Sequence, residues 1–414
     1  MKKNLFTILF LSVAFSLLAD AQIKISTIAG LQAMENDKSY ILDANIDLSS
    51  LSAGLNKDLT NVTFDGNNYT LSNLTADGGD RGGLFKNLSG CTIRNLKIKD
   101  FLIGGNWVGT LAGHADNTTI TKCIAEGIEV QAGGIAGGLI GHMEKTIITE
   151  CAVRGTVTGR DHVGGIAGHM QSASTIENCY VNGDIVTTGW QVGGIVGWSE
   201  GANDKVNNCF ASGTVSAAVG FTGGIIGAGV GAGVKVSNCL AIQTKITANS
   251  DIPKTNRIVG DHNATTLENN YGLENMAWED PKRTETWTNL NDGKDGTSVT
   301  LAQVASPQFY ADSLPTWNFN TVWVLENNLP KLKMENGPVS GIDEMKKGVS
   351  KVMNINSEIV VECPLNSTIS VYNTIGKLIE QRTSSTVKEI FTFKGIYMIR
   401  ISSNAGNETF KVLN

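Results

Sequence analysis

Three histidines occupy the same position in successive copies of a sequence repeat. His114 follows the letters LAG, His142 follows LIG and His169 follows IAG. Trp198 and then Ala228 take this position in the next two copies. Imidazoles brought together at equivalent positions could bind a transition metal. The alternative is that flat side chains stack on one another, and the exchange of histidine for tryptophan favours stacking. We therefore predict no metal, and His114, His142 and His169 are the candidates for a site if one exists.

Aromatic rings also recur just before the paired glycines of each copy. Trp107, His162 and Phe221 share one position, and Trp190 lies one residue earlier in its copy. Planar rings spaced along one face can stack on sugar rings, because both surfaces are apolar. The alternative is that these rings only pack at a corner of the fold. With Trp198, they form our set of candidate ligand-binding residues.

Each copy of the repeat also contains one cysteine at a constant position, as the last residue of the pattern [I/V]-x-x-C. Successive cysteines are 28, 28, 30 and 30 residues apart. Leu96 takes the cysteine position one copy upstream, and Asn270 takes it one copy downstream. A period of this length is typical of stacked or radial repeat proteins. The five repeat cysteines are Cys123, Cys151, Cys179, Cys209 and Cys239.

The residues that follow each cysteine alternate between apolar and polar. In residues 179–185 the cysteine, Val181 and Ile185 share one face, whereas Asn182 and Asp184 share the other. A period of two indicates a strand. A propeller blade needs about 40 residues or more, and this unit is shorter. We therefore predict an all-β chain whose main domain is a right-handed parallel β-helix, with end caps and with coils of ~28–31 residues.

Equivalent residues of neighbouring coils should form columns about 4.8 Å apart. The repeat cysteines are predicted to line the core as small buriable groups. Parallel side chains in such a column are badly placed for a disulfide torsion near ~90°, so we predict free thiols. The residue before the cysteine must form a corner, and Asn178, Asn208 and Asn238 suit one because asparagine tolerates left-handed backbone. We count these three with the structural core ladder.

An enzyme acting on polysaccharide is the competing hypothesis for a β-helix. Such enzymes need clustered carboxylates. Acidic residues here fall at different points of the repeat, namely Asp116, Asp161, Asp184 and Asp204. Glu150 and Glu177 lie beside the corner with no evident basic partner in register. Zinc-protease and nucleotide-binding motifs are absent from the sequence. We predict no catalytic residue, no cofactor and no enzymatic activity, with a lyase or glycosidase as the alternative.

The repeat "VGGIAGHMQSASTIENCYVNGDIV" resembles the GLUG motif, in which a GG-[LI]-[VA]-G segment and a loop precede I-x-N-C-[YF]-A-x-G-x-V. The resemblance extends over about residues 60–334 and implies a secreted or surface protein of the type found in Bacteroidetes. It carries information about architecture rather than activity.

The C-terminal segment contains short strand-like runs and resembles the sorting domain of type IX secretion substrates. The matching residues lie in "SVYNTIGKLI" (Val371, Tyr372, Gly376), in "KGIYMIRI" (Gly395, Ile396, Tyr397) and at Lys411. The lead-in "EIFTFKGIY" departs from the usual L-P-x-G of that family. The resemblance implies a small antiparallel β-sandwich that interacts with the secretion machinery at the outer membrane.

The predicted organisation has six parts. Residues 1–21 read as a signal peptide, because Lys2 and Lys3 precede an apolar stretch and the small residues of Ala19–Ala21. The remaining parts are an N-terminal cap at 22–59 with a short helix and a strand, the β-helix at 60–275, a tryptophan-rich cap at 276–337, a linker at 338–350 and the β-sandwich at 351–414.

The chain has 414 residues and a net charge of −6, which gives no indication of nucleic acid as a partner. The apolar stretch near the N-terminus is short for a membrane span, so we predict none in the mature chain. We predict a secreted or cell-surface protein of the outer-membrane exterior that binds a glycan or a host or matrix protein, as an adhesin does. The alternatives are the enzyme described above and a purely structural spacer.

Overall fold

The computed structural model describes residues 22–249, 255–261, 263, 265–336, 351–355, 358–362, 367–372, 377–384, 388–391, 396–403 and 406–413. The chain divides after residue 337 into two compact units. The predicted signal peptide at 1–21 and linker at 338–350 lie outside the described residues.

The first unit is a parallel β-solenoid of about nine turns, in which successive turns add strands to three parallel sheets. Sheet A has ten strands, at Ile23–Ile25, Ser39–Leu42, Thr63–Asp65, Thr92–Arg94, Thr119–Thr121, Ile147–Thr149, Thr175–Glu177, Lys205–Asn207, Lys235–Ser237 and Thr266–Glu268. Sheet C has eight strands, at Asp58–Thr60, Phe85–Ser89, Ala112–Asp116, Ile140–Glu144, Ala167–Gln171, Val196–Ser199, Ile226–Gly229 and Val259–Asp261.

Sheet B is the largest, because most turns give it two consecutive segments. Its 19 strands are Ile46–Asp47, Thr70–Ser72, Thr75–Asp77, Arg81–Gly82, Lys97–Lys99, Leu102–Gly109, Ile124–Gly137, Ala152–Gly159, His162–Gly164, Tyr180–Thr187, Gln191–Gly193, Phe210–Ala217, Phe221–Gly223, Leu240–Ala241, Lys245–Ala248, Thr255–Asn256, Tyr271–Leu273, Ala277–Glu279 and Thr297–Val299. Inward-facing residues of all three sheets form one apolar core.

The parallel stack is longer than predicted. It begins at Ile23, which pairs with Tyr40, and ends at Val299, which pairs with Leu273. The predicted limits of 60 and 275 were therefore too narrow. The first turn lacks the glycine pair and cysteine of the repeat, but Tyr40 stacks in register on Phe64, and both are buried. Inward-facing apolar residues in register are therefore enough to form a turn of the solenoid, even without the glycine pair and the cysteine of the repeat.

The predicted N-terminal helix exists but is short, at Ile28–Gln32 (α1). Thr27 caps it, since its Oγ1 atom accepts a hydrogen bond from the Gly30 N–H at 3.1 Å. Leu31 and Met34 are buried. The helix lies in the chain between two parallel strands of sheet A, so it belongs to the first turn of the solenoid.

The repeat cysteines form an inward column, and all five are fully buried. The backbone N–H of Cys123 donates to the Sγ atom of Cys151 at 3.4 Å. The same contact joins Cys151 to Cys179. Among the described residues, the cysteines are all unpaired thiols.

The corner asparagines have left-handed backbone, with φ of 52° at Asn178, 51° at Asn208 and 54° at Asn238. This agrees with the predicted corner, but their side chains do not join the inward column of cysteines. The side chain of Asn178 accepts a hydrogen bond from Trp323 Nε1 at 3.4 Å, and that of Asn208 accepts one from Thr316 Oγ1 at 2.7 Å. The side chains thus point out of the solenoid. The chain changes direction at the asparagine, and only the next residue, the cysteine, directs its side chain into the core.

Residues 300–336, here called the C-terminal strap, contain α2 at Leu301–Val304, α3 at Pro307–Ser313, an antiparallel hairpin of Trp323–Glu326 with Leu329–Leu332, and a 3₁₀ turn at Lys333–Asn336. The strap does not plug the open end as predicted. Trp317 and Trp323 stack with ring centroids 4.6 Å apart and pack beside Tyr180 and Phe210 in the middle turns. Outward aromatic residues of sheet B supply the apolar surface that the strap covers.

The end of the stack is closed instead by a buried arginine. Arg257 is fully buried, and its guanidinium donates to the carbonyl oxygens of Gly272, Leu273 and Gly296 at 3.0–3.1 Å. The indole of Trp287 lies 5.7 Å from this guanidinium. One buried side chain thereby satisfies three backbone acceptors in the last turns.

The second unit, residues 338–414, contains two antiparallel sheets. One comprises Lys351–Ile355, Glu358–Glu362 and Lys388–Phe391, and the other comprises Leu378–Thr383, Thr368–Tyr372, Ile396–Ser403 and Gly406–Leu413. Val371 and Ile399 are paired and buried. Of the residues that resemble the sorting domain, Gly376 and Gly395 lie outside the described residues.

Candidate ligand-binding site

The predicted histidine column lies in sheet C. His114, His142, His169 and Trp198 occupy adjacent strands in direct register. The ring centroids of His142 and His169 are 4.5 Å apart and nearly parallel, and those of His169 and Trp198 are 4.7 Å apart. His114 is tilted by 54° against His142 at 5.1 Å. The structure therefore stacks His142, His169 and Trp198 along the solenoid, with His114 tilted at one end of the column.

The second predicted set lies in sheet B beside this stack. Trp107 pairs in register with Ile135, and His162 pairs with Gln191, which pairs with Phe221. The ring of His162 lies 4.4 Å from that of Trp198. The ring of Trp107 lies 5.4 Å from that of His142. We call the cluster of Trp107, His114, His142, His162, His169 and Trp198 the aromatic corner.

Trp190 and Phe221 differ in their exposure. Trp190 precedes the Gln191–Gly193 strand and is 58% exposed, whereas Phe221 is half-buried. The backbone of Trp190 lies against Gly220, where an added Cβ would come within 1.3 Å of its carbonyl oxygen. This close approach requires glycine at 220, and it fixes the backbone that carries the exposed indole.

Paired glycines bring the two columns together. A Cβ on Gly164 would approach the carbonyl oxygen of Ala167 to 2.1 Å, and one on Gly194 would approach that of Gly224 to 2.1 Å. Larger residues cannot occupy these places without moving the backbone. The chain therefore folds back tightly between sheets B and C, and a ring just before the glycine pair meets a ring just after it.

Polar side chains line the histidine column. Glu144 lies two residues after His142 in one strand, and its Oε1 atom is 3.8 Å from His142 Nε2 and 3.5 Å from His114 Nε2. Gln171 Oε1 lies 3.2 Å from His142 Nε2, and Glu200 Oε1 lies 3.2 Å from His169 Nε2. These groups were not predicted from the sequence. Their i, i+2 spacing in a strand was the available signal, since such residues share a face.

Burial governs the protonation of the imidazoles. Desolvation first, and then the neighbouring His142 and His162, lower the pKa of His169 to about 2. Desolvation likewise lowers the pKa of His142 and of His162. For His114, desolvation lowers the pKa first and the charge of Arg81 second, while Glu144 opposes them. The column is therefore neutral at physiological pH.

One group of side chains is close enough to hold a metal ion. The ligating atoms of His114, His142 and Glu144 all lie within 4.8 Å of one another. His169, a candidate from the sequence, is not part of this group. Glu144 replaces it, because the carboxylate reaches back towards the preceding turn.

The acidic residues considered for catalysis are separated and engaged by different partners. Asp204 is buried and accepts hydrogen bonds from Ser174 N–H and Ser199 Oγ at 2.9 and 3.0 Å. Asp184 accepts one from Thr214 at 2.6 Å. Glu150 does have a basic partner in the preceding turn, since Lys122 Nζ lies 3.9 Å away, which corrects the expectation from the sequence.

Comparison with known proteins defines the class. The GLUG motif matches residues 159–186 and 188–216, a narrower range than the resemblance suggested. Both segments belong to the solenoid, and they contain His162, His169, Trp190 and Trp198. The chain is thus a parallel β-solenoid that carries GLUG motifs.

Two similar proteins illustrate the context of this class. The chain is 30% identical over 227 residues, 43% of its length, to halomucin from Haloquadratum walsbyi, and it spans 2% of that protein. A crystal structure from Bacteroides ovatus, described as a candidate immunoglobulin A1 protease, matches with a TM-score of 0.52 and 18% identity, over 75% of this chain and 92% of the other. At that identity the likeness concerns the fold alone. Within the described residues, no helix is long and apolar enough to cross a bilayer.

Proposed function

We propose that the protein is an exported, cell-surface solenoid that acts as a non-catalytic binding module, and that the aromatic corner with Trp190 takes a glycan. The similarity to halomucin and the GLUG motifs support an extracellular location. The N-terminal sequence supports export, since a charged start, an apolar stretch and small residues follow one another.

The observation that carries the proposal is the exposed indole of Trp190 on the turn that leads into the ring-lined strands. A tryptophan that is 58% exposed presents an apolar face to solvent. Trp198 lies half-buried in the same repeat, and His162 of the preceding repeat is half-buried and bonded to Gln191. Rings alternating with amide and carboxylate groups suit a sugar, which offers apolar ring faces and hydroxyl groups together. This mixture favours a glycan over a host or matrix protein.

The test is binding of the chain from residue 22 to a glycan array, followed by titration with the best glycan. Trp190→Ala should weaken binding about tenfold, which corresponds to ~1.4 kcal/mol for a lost stacking contact. Leu290→Ala is the matched control, because Leu290 is also 58% exposed but lies elsewhere in the chain. Equal effects of both changes, or binding of matrix proteins without any glycan, would contradict the glycan proposal.

The enzyme and spacer alternatives make different predictions. A lyase or glycosidase would release new chain ends from an acidic polysaccharide. A spacer would neither bind nor cleave. Incubation with acidic polysaccharides and measurement of reducing ends and unsaturated products separates the three accounts. Turnover abolished by exchange of one carboxylate would overturn the non-catalytic proposal.

We further propose that the C-terminal unit directs secretion, because its sequence resembles that of sorting domains. Fractionation of cells, with mass spectrometry of the mature C-terminus, tests this proposal. Recovery of the solenoid at the cell surface without the second unit is the expected result. An intact chain in the cytoplasm would contradict both export and sorting.

A further inference from the structure

We propose that His114, His142 and Glu144 form a Zn²⁺ site that joins two neighbouring turns of the solenoid. This inference goes beyond the proposed glycan binding and does not depend on it. It rests on the positions of three donor atoms, the strands that hold them and the charges around them.

The donor atoms have nearly the spacing that zinc requires. Zinc bonds of about 2.0–2.1 Å in a tetrahedron place ligand atoms about 3.4 Å apart. Glu144 Oε1 lies 3.5 Å from His114 Nε2 and 3.8 Å from His142 Nε2. These two distances need side-chain movements of only a few tenths of an ångström, and the ligating atoms of all three residues lie within 4.8 Å of one another. Two imidazoles and one carboxylate are a ligand set that zinc accepts, with water in the fourth position.

The backbone holds the three ligands in place. His114 belongs to the strand Ala112–Asp116, and His142 and Glu144 belong to the adjacent strand Ile140–Glu144. The two histidines are directly paired across the parallel sheet. His142 and Glu144 share a face because they are two residues apart. A bound ion would therefore cross-link consecutive turns and stabilise the solenoid against unfolding.

The surroundings allow a cation but do not attract one strongly. Asp116 lies near His114, and its buried Oδ1 atom accepts no hydrogen bond from the described residues, although Lys145 Nζ is 4.0 Å away. The positive charge of Arg81 opposes the binding of a cation. Its guanidinium is hydrogen-bonded to Asn87 and lies over the ring of Trp107, so these two residues hold it in place.

Two further features concern the imidazole of His142. Gln171 Oε1 lies 3.2 Å from His142 Nε2 and must move aside when the ion binds. The buried Nδ1 atom of His142 also has no hydrogen-bond partner among the described residues.

The experiment is calorimetric titration of the untagged chain from residue 22, treated first with EDTA, using ZnCl₂ alone. We expect one Zn²⁺ per chain and a higher unfolding temperature with zinc than with EDTA. Replacement by Co²⁺ should give the intense visible bands of a four-coordinate ion. Absence of binding, or only the weak bands of a six-coordinate ion, would overturn the proposal.

Variants locate the ion. Glu144→Gln and His114→Gln should each weaken zinc binding more than about tenfold, since even outer partners of a metal site contribute that much. Glu200→Gln is the matched control, because Glu200 lies 3.2 Å from His169 in the same column and should leave binding unchanged. Unfolding in EDTA verifies that the variants fold. Binding that survives both Glu144→Gln and His114→Gln would show an adventitious ion only and would refute the site.

Discussion

The backbone N–H of Cys151 donates a hydrogen bond to the Sγ atom of Cys179 in the next turn, 3.4 Å away. That thiol in turn lies 3.2 Å from the carbonyl oxygen of Glu177, to which it donates. The cysteine therefore does more than fill space. Its thiol accepts a hydrogen bond from one buried backbone N–H and donates one to a carbonyl oxygen at the corner. Asn270, which takes the cysteine position further on, accepts the N–H of Cys239 through Oδ1 at 3.0 Å.

Exchange of the thiol should reveal this role. Cys179→Ala leaves the Cys151 N–H buried without an acceptor, which costs about 1–3 kcal/mol in addition to the lost volume. Cys179→Ser keeps an acceptor and should cost less. Urea unfolding of both variants measures the difference. Equal destabilisation by alanine and serine would contradict the acceptor role and leave only packing.

The buried thiols should be unreactive in the folded protein. Burial is the first cause that raises the pKa of Cys151, Cys179 and Cys209 well above the ordinary value of 9.0. In a Cys363→Ser background, N-ethylmaleimide should modify none of the six described cysteines in the native state. All six should react after denaturation without reductant, as mass spectrometry would show. Reaction that requires prior reduction would instead indicate disulfides.

The C-terminal strap should depend on its tryptophans. Trp323 is fully buried and packs against Trp317 and the aromatic residues of sheet B. Trp323→Ala should lower the free energy of unfolding by about 3–5 kcal/mol and open residues 300–336 to limited proteolysis. Trp190→Ala removes an equal side chain from an exposed place and serves as the control. An unchanged cleavage pattern in Trp323→Ala would show that the strap is held by other contacts.

His162 should make stability depend on pH. Burial lowers its pKa below the ordinary 6.5, although Gln191 and Asp161 act in the opposite direction. The unfolded chain therefore takes up a proton at this residue as the pH falls below 6.5, while the folded chain, with His169 and Trp198 also against the ring, resists it. The contribution of neutral His162 to the free energy of unfolding is fully present above pH 6.5. It is lost as the pH falls towards the pKa of His162 in the folded chain.

His162→Gln isolates this effect, because it removes the titrating group and leaves the other histidines. The wild type should lose more stability than the variant between pH 6.5 and more acidic values, measured by urea unfolding at each pH. Parallel profiles would mean that the ring of His162 is accessible to protons in the folded state.

The repeat was enough to predict the solenoid, because each turn must present the same shape to the next and equivalent residues therefore recur. The period, the alternation after each cysteine and the left-handed asparagines all follow from local rules of chain geometry. The N-terminal limit of the stack was mispredicted because Tyr40, in register with Phe64, fills the first turn as an ordinary apolar residue. No repeat signature marks such turns.

The sequence by itself determined that His114, His142, His169 and Trp198 share one column, because a regular period converts spacing into position. Only the tertiary structure decided that Glu144 reaches between two of those histidines, that Trp107 and His162 lie against them, and that the strap covers Tyr180 and Phe210. The second and third of these contacts join different sheets or distant segments, so they depend on the angles at the corners and on the path of the chain after the last turn. Neither quantity is encoded in the local pattern of residues.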